Sequence, residues 1–318
     1  MNKDLLTIKD LTTDDFEHLM ALSSDLKRKR KMGQDVHFAP LKGKTLAMIF
    51  QKPSTRTRIS FEVGMVRLGG YALYLNANDL QIGRGEPIAD TARILSGYVD
   101  AVLIRTFQQK EIEELARLAT IPVINGLTDK FHPCQILSDL FTIREKIGPL
   151  SSSLKIAYIG DGNNVANSWL QAAAMLNLHL WIACPSGYEP DPEVIREAEV
   201  SEGIAQGRIV ITHDPQEAAY QADVLYTDVW VSMGQESQKE ERRQAFRGYQ
   251  INAALVQKAN KDALVMHCLP AHRGEEITDE VLEGKNSVVF DQAENRLYLQ
   301  QALLLKLLGA PFLEGASS

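Results

Sequence analysis

Long apolar stretches are missing from this 318-residue chain, and no run is long enough to span a bilayer. The opening Met1-Asn2-Lys3-Asp4 leads into no hydrophobic segment, so no signal peptide is expected. Cysteine is scarce. Cys134, Cys184 and Cys268 lie far apart and without metal-ligand spacing. That pattern argues against a disulfide framework or a structural metal site and fits a reducing, cytoplasmic setting. Positive charge is in deficit: 34 lysines and arginines face 41 acidic residues, for a net charge of −7. Such a balance disfavours nucleic acid as a partner, and any anion site must be built from locally concentrated cations.

What is present is ordinary for a globular protein: 45% hydrophobic and 24% charged residues. The length suggests two domains of about 150 residues each. Apolar runs at 46–50, 71–75, 101–104 and 122–124 read as strands, with helical periodicity at 88–98, 110–119 and 132–147. After Gly148-Pro149-Leu150-Ser151-Ser152-Ser153, which interrupts both periodicities, alternation resumes. Strands are expected at 154–159, 179–183, 209–212, 224–226, 264–266 and 288–290, and helices at 165–176 and 294–308. The reading is an α/β protein of two domains, 1–148 and 149–318, each a parallel sheet flanked by helices. The basic run Lys27-Arg28-Lys29-Arg30-Lys31 reads as the last turn of a helix that starts near Thr12 or Thr13 and ends at Gly33.

Chemistry concentrates at strand ends, where parallel sheets bind ligands. Ser54-Thr55-Arg56-Thr57-Arg58 follows the strand at 46–50 and opens a helix. Helix N–H groups, hydroxyls and guanidinium groups together suit a dianionic phosphoryl group. Arg105 ends another strand, and His132-Pro133-Cys134-Gln135 opens a helix after a third. A histidine and a glutamine so placed can donate to a carbonyl oxygen. In the second half, Gly160-Asp161-Gly162-Asn163-Asn164 looks like a dinucleotide turn, but Val165 replaces the third glycine and no acid closes the next strand. A nicotinamide cofactor is therefore rejected. His267-Cys268-Leu269-Pro270 invites a Cys-His nucleophile reading. Adjacent residues on a strand point to opposite faces, so His267 and Cys268 are not a dyad.

Ser-Thr-Arg-Thr-Arg resembles the carbamoyl-phosphate signature of the aspartate/ornithine carbamoyltransferase family. His132-Pro133-Cys134-Gln135, Asp228-Val229-Trp230-Val231-Ser232-Met233-Gly234 and His267-Cys268-Leu269-Pro270 narrow the resemblance to its ornithine branch. The resemblance implies carbamoyl phosphate bound by Ser54, Thr55, Arg56, Thr57, Gln81, Arg105, His132, Pro133, Cys134, Gln135, Cys268, Leu269 and Arg296. It implies ornithine held by Asn164, Asp228, Ser232 and Met233, with Arg105, His132, Cys268 and Asp228 as catalytic residues. It implies carbamoyl transfer to ornithine with neither metal nor cofactor, a terminal helix packed back on the first domain with Arg296 in its first turn, and a cis bond at Leu269-Pro270. A homotrimer or a multiple of trimers follows from the same source. A related amine such as putrescine or an acylated ornithine is the alternative substrate.

Overall fold

The apolar run ending at Phe50 forms strand β1 (Thr45–Phe50), inward on both faces over its last five residues. A strand with no solvent face needs helices on both sides, which is what alternating β and α segments supply. The computed structural model describes residues 2–35, 38–81, 85–202 and 208–309. Among them, β1 joins β2 (Tyr71–Asn76), β3 (Ala101–Arg105) and β4 (Val123–Leu127) in a parallel sheet of order β2-β1-β3-β4. Helices α1 (Thr13–Lys31), α2 (Thr55–Arg67), α3 (Ile88–Tyr98), α4 (Gln109–Leu118) and α5 (Pro133–Ile147) cover it. Thr12 caps α1 by accepting from Asp15 N–H, and Gly33 takes the left-handed conformation just past its end. Ala47, Ile49, Val102, Ile104, Ile112 and Leu115 form one core of this half.

A second parallel sheet contains β5 (Lys155–Ile159), β6 (His179–Ala183), β7 (Ile209–Thr212), β8 (Val224–Thr227) and β9 (Leu264–His267), in the order β7-β6-β5-β8-β9. Its helices are α6 (Asn164–Leu176), α7 (Pro192–Glu202), α8 (Pro215–Ala219), α9 (Lys239–Ala245), α10 (Ala253–Val256) and α11 (Asp279–Leu282). Each sheet has one topological switch. Loops after β1 and β3 diverge in the first, and loops after β5 and β8 in the second. Open α/β sheets bind ligands in the crevice this divergence creates.

The residues 288–290, expected as a strand, are not one. Ser287 makes an isolated bridge to Val265, and helix α12 (Val289–Leu307) starts two residues later. Val289 is buried in the core of the second sheet, and Gln292 Oε1 accepts the His267 N–H at 3.0 Å, the place a sixth strand would have filled. Three apolar residues carry no period that separates strand from helix. Arg296 therefore lies two turns into α12 rather than in its first turn.

The chain forms two compact units, Met1–Phe141 with Asn295–Ser318, and Thr142–Glu294. The change of unit by contacts falls inside α5 and again inside α12, and the composition break at 148 falls at the end of α5. Within the first unit the end of α12 packs back on the opening helices. Lys306 pairs with Asp15 at 2.9 Å, Lys27 donates to Asn295 at 2.7 Å, and Gly64 leaves room for Gln301 and Leu304. Lys27, read from the sequence as one of a run of helix-end cations, is thus buried and committed.

Candidate active site

In the first unit, Ser54 sits in extended conformation at the end of the β1 turn and caps α2, its Oγ accepting Thr57 N–H at 3.2 Å. Capping uses one first-turn N–H, so the positive end of the helix stays directed at the crevice between β1 and β3. Arg105 closes β3 at a register shift and is 5% exposed. Such irregularities re-aim side chains beside sites. His132 and the start of α5 follow β4. Arg296 arrives from α12, donating to Gln135 Oε1 and, at 2.8 Å, to Thr57 Oγ1. With a lone pair of Thr57 engaged by a guanidinium, the Thr57 hydroxyl can give its own proton elsewhere.

Burial, then Arg296, Arg105 and Arg56 in that order, hold the His132 imidazole well below its usual 6.5. The ring is therefore neutral and acts through an N–H donor rather than a charge. The sign of the consequence is fixed. Below pH 6.5 the unfolded chain takes up a proton at His132 that the folded chain refuses, so stability falls as pH drops. Replacing His132 by Asn is expected to remove that component, up to about 1.4 kcal/mol per pH unit for one proton. Denaturant melts of both proteins from pH 5 to 7.5 measure it; parallel curves would contradict it.

Other expected residues are less central. Arg58 pairs with Glu62 and stacks over Tyr74 at 3.7 Å, so its guanidinium is committed to α2 and β2. Burial pushes the Cys134 thiol up to about 12, and it bonds the Asn125 carbonyl at 3.3 Å, so this side chain packs. Pro133 is buried beside it, and Thr55 is exposed. Gln81 is exposed in the loop after β2, its carbonyl accepting Glu86 N–H at 3.0 Å. The next three positions of that loop, 82–84, lie outside the described residues.

In the second unit, Asp228 follows β8 and Asn163 follows β5, across that switch point. Asp228 Oδ2 accepts from Asn163 Nδ2 at 2.7 Å; Oδ1 accepts from Val229 N–H and from the Cys268 thiol, each at 2.8 Å. Asn163 also caps α6 through Val165 and Ala166 N–H, and Asn164 is the first residue of that helix. Sequence reading singled out Asn164 and missed Asn163, although an asparagine before a helical run is a capping signal. Ser232 is half-buried and Met233 is 44% exposed on the loop beyond. That loop is anchored by Arg242, which donates to the Trp230 carbonyl at 3.0 Å and pairs with Asp161 at 2.9 Å. Burial nonetheless pushes Asp161 up to about 6, against the pull of Arg242.

His267 and Cys268, expected on opposite faces, bring a ring nitrogen and the thiol sulfur within 4.8 Å of each other, yet each takes other partners. Leu269 N–H can only donate, so His267 Nδ1 accepts it at 2.8 Å, and Nε2–H must face Glu276 Oε1 at 3.0 Å. That bond holds Leu269 at φ +58, a costly conformation for leucine, ahead of the cis Leu269-Pro270 bond. Asp228, His267 and Cys268 offer oxygen, nitrogen and sulfur within 4.8 Å of one another, a set that could hold a metal ion. Both His267 nitrogens are already engaged, which weakens it as a ligand. The glycine turn after β5 serves the chain itself. A Cβ on Gly162 would lie 2.2 Å from the backbone of Glu189 and Pro190, so that segment lies where a pyrophosphate would approach.

Comparison with known proteins also finds two parts, divided near the composition break at 148 and with α12 counted in the second. Residues 3–145 match the family model described as the aspartate/ornithine carbamoyltransferase carbamoyl-P binding domain, and 152–307 match that of the Asp/Orn binding domain. An ornithine carbamoyltransferase of Anoxybacillus flavithermus is 57% identical over 306 residues, 96% of each chain. A protein of Pyrococcus furiosus named ornithine carbamoyltransferase, anabolic, is 53% identical over 96% of this chain and 96% of its own. The solved structure of ornithine carbamoyltransferase from that organism superposes with a TM-score of 0.92 at 53% identity, covering 97% of this chain and 98% of the other.

Proposed function

The chain belongs to the aspartate/ornithine carbamoyltransferase family, and from that premise we propose that it transfers the carbamoyl group of carbamoyl phosphate to the δ-amine of L-ornithine, giving L-citrulline and phosphate. One observation supports this above the rest: three arginines surround a neutral, buried histidine at the strand ends of the first sheet. In this reading Ser54, Thr55, Arg56, Thr57 and Arg296 take the phosphate. Gln135 orients Arg296, and Gln81, Pro133 and Cys134 border the ligand. Arg105, His132 and Thr57 receive the carbonyl oxygen as it gains charge during attack, a role commonly worth about 3–4 kcal/mol per donor.

Ornithine is assigned to Asn164, Asp228, Ser232 and Met233, with Cys268 and Leu269 beside the reacting end. The δ-amine must be neutral to attack, since an ammonium has no lone pair. It adds to the carbamoyl carbon, the tetrahedral intermediate collapses, phosphate leaves, and the nitrogen sheds its extra proton. The reaction balances without an added oxidant, reductant or hydrolytic water. Citrulline formation from carbamoyl phosphate, assayed across ornithine, putrescine and acylated ornithine, tests the reading. Turnover confined to an amine other than ornithine would overturn the substrate, and no turnover with any amine would overturn the activity.

The finer parts of the reading are a cytoplasmic setting and a homotrimer or multiple of trimers. No described helix is long and apolar enough to cross a membrane. Edge strand β2 exposes Tyr71 and Leu73, and the neighbouring α2 exposes Ile59 and Val66 one heptad apart. An apolar edge of this kind is usually covered by a partner. Sedimentation equilibrium is expected to give three chain masses or a multiple, and a monomer at assay concentration would contradict it.

A further inference from the structure

Gln51-Lys52-Pro53 reads in the sequence as a strand breaker, yet Lys52 is 4% exposed. A lysine is almost never so buried unless its charge is matched. Its ammonium pairs with Asp129, on the loop after β4, and lies 4.3 Å over the Phe107 ring, on the loop after β3. Asp129 N–H donates to the Phe107 carbonyl at 2.8 Å, and Gln51 N–H to the Arg105 carbonyl at 2.9 Å. One cation thus joins the three loops that lead into Ser54–Thr57, follow Arg105 and precede His132. The partner carboxylate is 60% exposed, so water could solvate it without the lysine. The buried member is the ammonium, and stability alone is better served by an apolar residue in its place.

We propose that Lys52 is a positioning residue for the carbamoyl-phosphate pocket, clasping the loops after β1, β3 and β4 so that the phosphate and oxyanion donors stay in register. This rests on the proposed carbamoyl transfer. The clasp lies entirely in the first unit, so its loss acts on one substrate. Lys52→Met keeps the length of the stem and removes the charge. It is expected to raise KM for carbamoyl phosphate at least tenfold while KM for ornithine stays within twofold. Lys52→Arg recovers most of the loss, because a guanidinium can also pair with Asp129 and stack on Phe107.

Asp129→Asn tests the clasp from its exposed side, in case Lys52→Met fails to fold, and is expected to shift the same constant by several fold. Inorganic phosphate binding, followed by calorimetry on each variant, reads the pocket without turnover. If the wild-type protein binds phosphate but makes no citrulline, the proposed reaction falls and the clasp is judged on binding alone. Wild-type phosphate and carbamoyl-phosphate constants in Lys52→Met would overturn the proposal. So would a variant that loses only thermal stability, or one in which both substrate constants rise together.

Discussion

Arg56→Ala is expected to leave the fold intact and to weaken carbamoyl-phosphate binding by two to three orders of magnitude. Arg56 lies in the first turn of α2, half-buried, where the helix end already favours an anion. Its side chain supports no core: the buried residues of that helix are Thr57, Phe61, Gly64 and Met65. The loss should therefore fall on the ligand rather than on folding. Truncating one partner of a desolvated, hydrogen-bonded charge pair typically costs about 3–5 kcal/mol, and every 1.4 kcal/mol or so is tenfold in affinity. A second readout comes from His132. Arg56 is one of three cations that oppose its protonation, so its removal should move the His132 titration back toward 6.5. Calorimetry with carbamoyl phosphate and imidazole titration by NMR report the two effects separately. Unchanged affinity would end the assignment of this turn to phosphate.

Much of this architecture is legible in the sequence because buried parallel strands and amphipathic helices have different periods. The run ending at Phe50 and the helix after Ser54 follow from that contrast. Arg105 and His132 follow too, because strand ends in such sheets share an edge. The start of α12 is harder to read. Val288, Val289 and Phe290 look like a strand, and only Gln292 reaching back to His267 N–H explains why no strand is needed there. The unit boundary is hidden for a related reason, since α5 and α12 run through it without a break in helical period. Side-chain commitments are least legible. Asn163 and Asn164 are chemically identical, and only the backbone geometry makes Asn163 the cap and the Asp228 donor. Arg242 and Lys52 look like ordinary solvated cations until the fold buries them against Asp161 and Asp129. Recognition of the family names substrate contacts but is silent on these supports.

Asp228→Asn is the change expected to damage ornithine use most. The Asp228 carboxylate is 7% exposed and takes three donors, one each from Asn163, Val229 and Cys268. A carboxylate suits that network because it only accepts. An asparagine brings two N–H donors of its own, and in either amide orientation one faces an existing donor. Orientation of Cys268 and Asn163 is disturbed together with the loss of the negative charge. That charge is the natural partner for the ammonium of incoming ornithine, and the δ-amine must give up a proton with a reference pKa near 10.4 before it can attack. A fall of about 10³ in kcat/KM for ornithine corresponds to roughly 4 kcal/mol, within the range for breaking a buried, hydrogen-bonded charge network. Affinity for carbamoyl phosphate, whose contacts are assigned mainly to the first unit, is expected to change little. Cys268→Ser supplies the finer comparison. Serine keeps a donor to Asp228, so a purely structural thiol predicts a small effect at all pH values. A thiol that helps carry the amine proton predicts a loss that varies with pH, because a hydroxyl does not ionise in the working range. Profiles of kcat/KM for ornithine from pH 6 to 10 on both variants distinguish these. Wild-type ornithine kinetics in Asp228→Asn would remove the second switch point from the reaction.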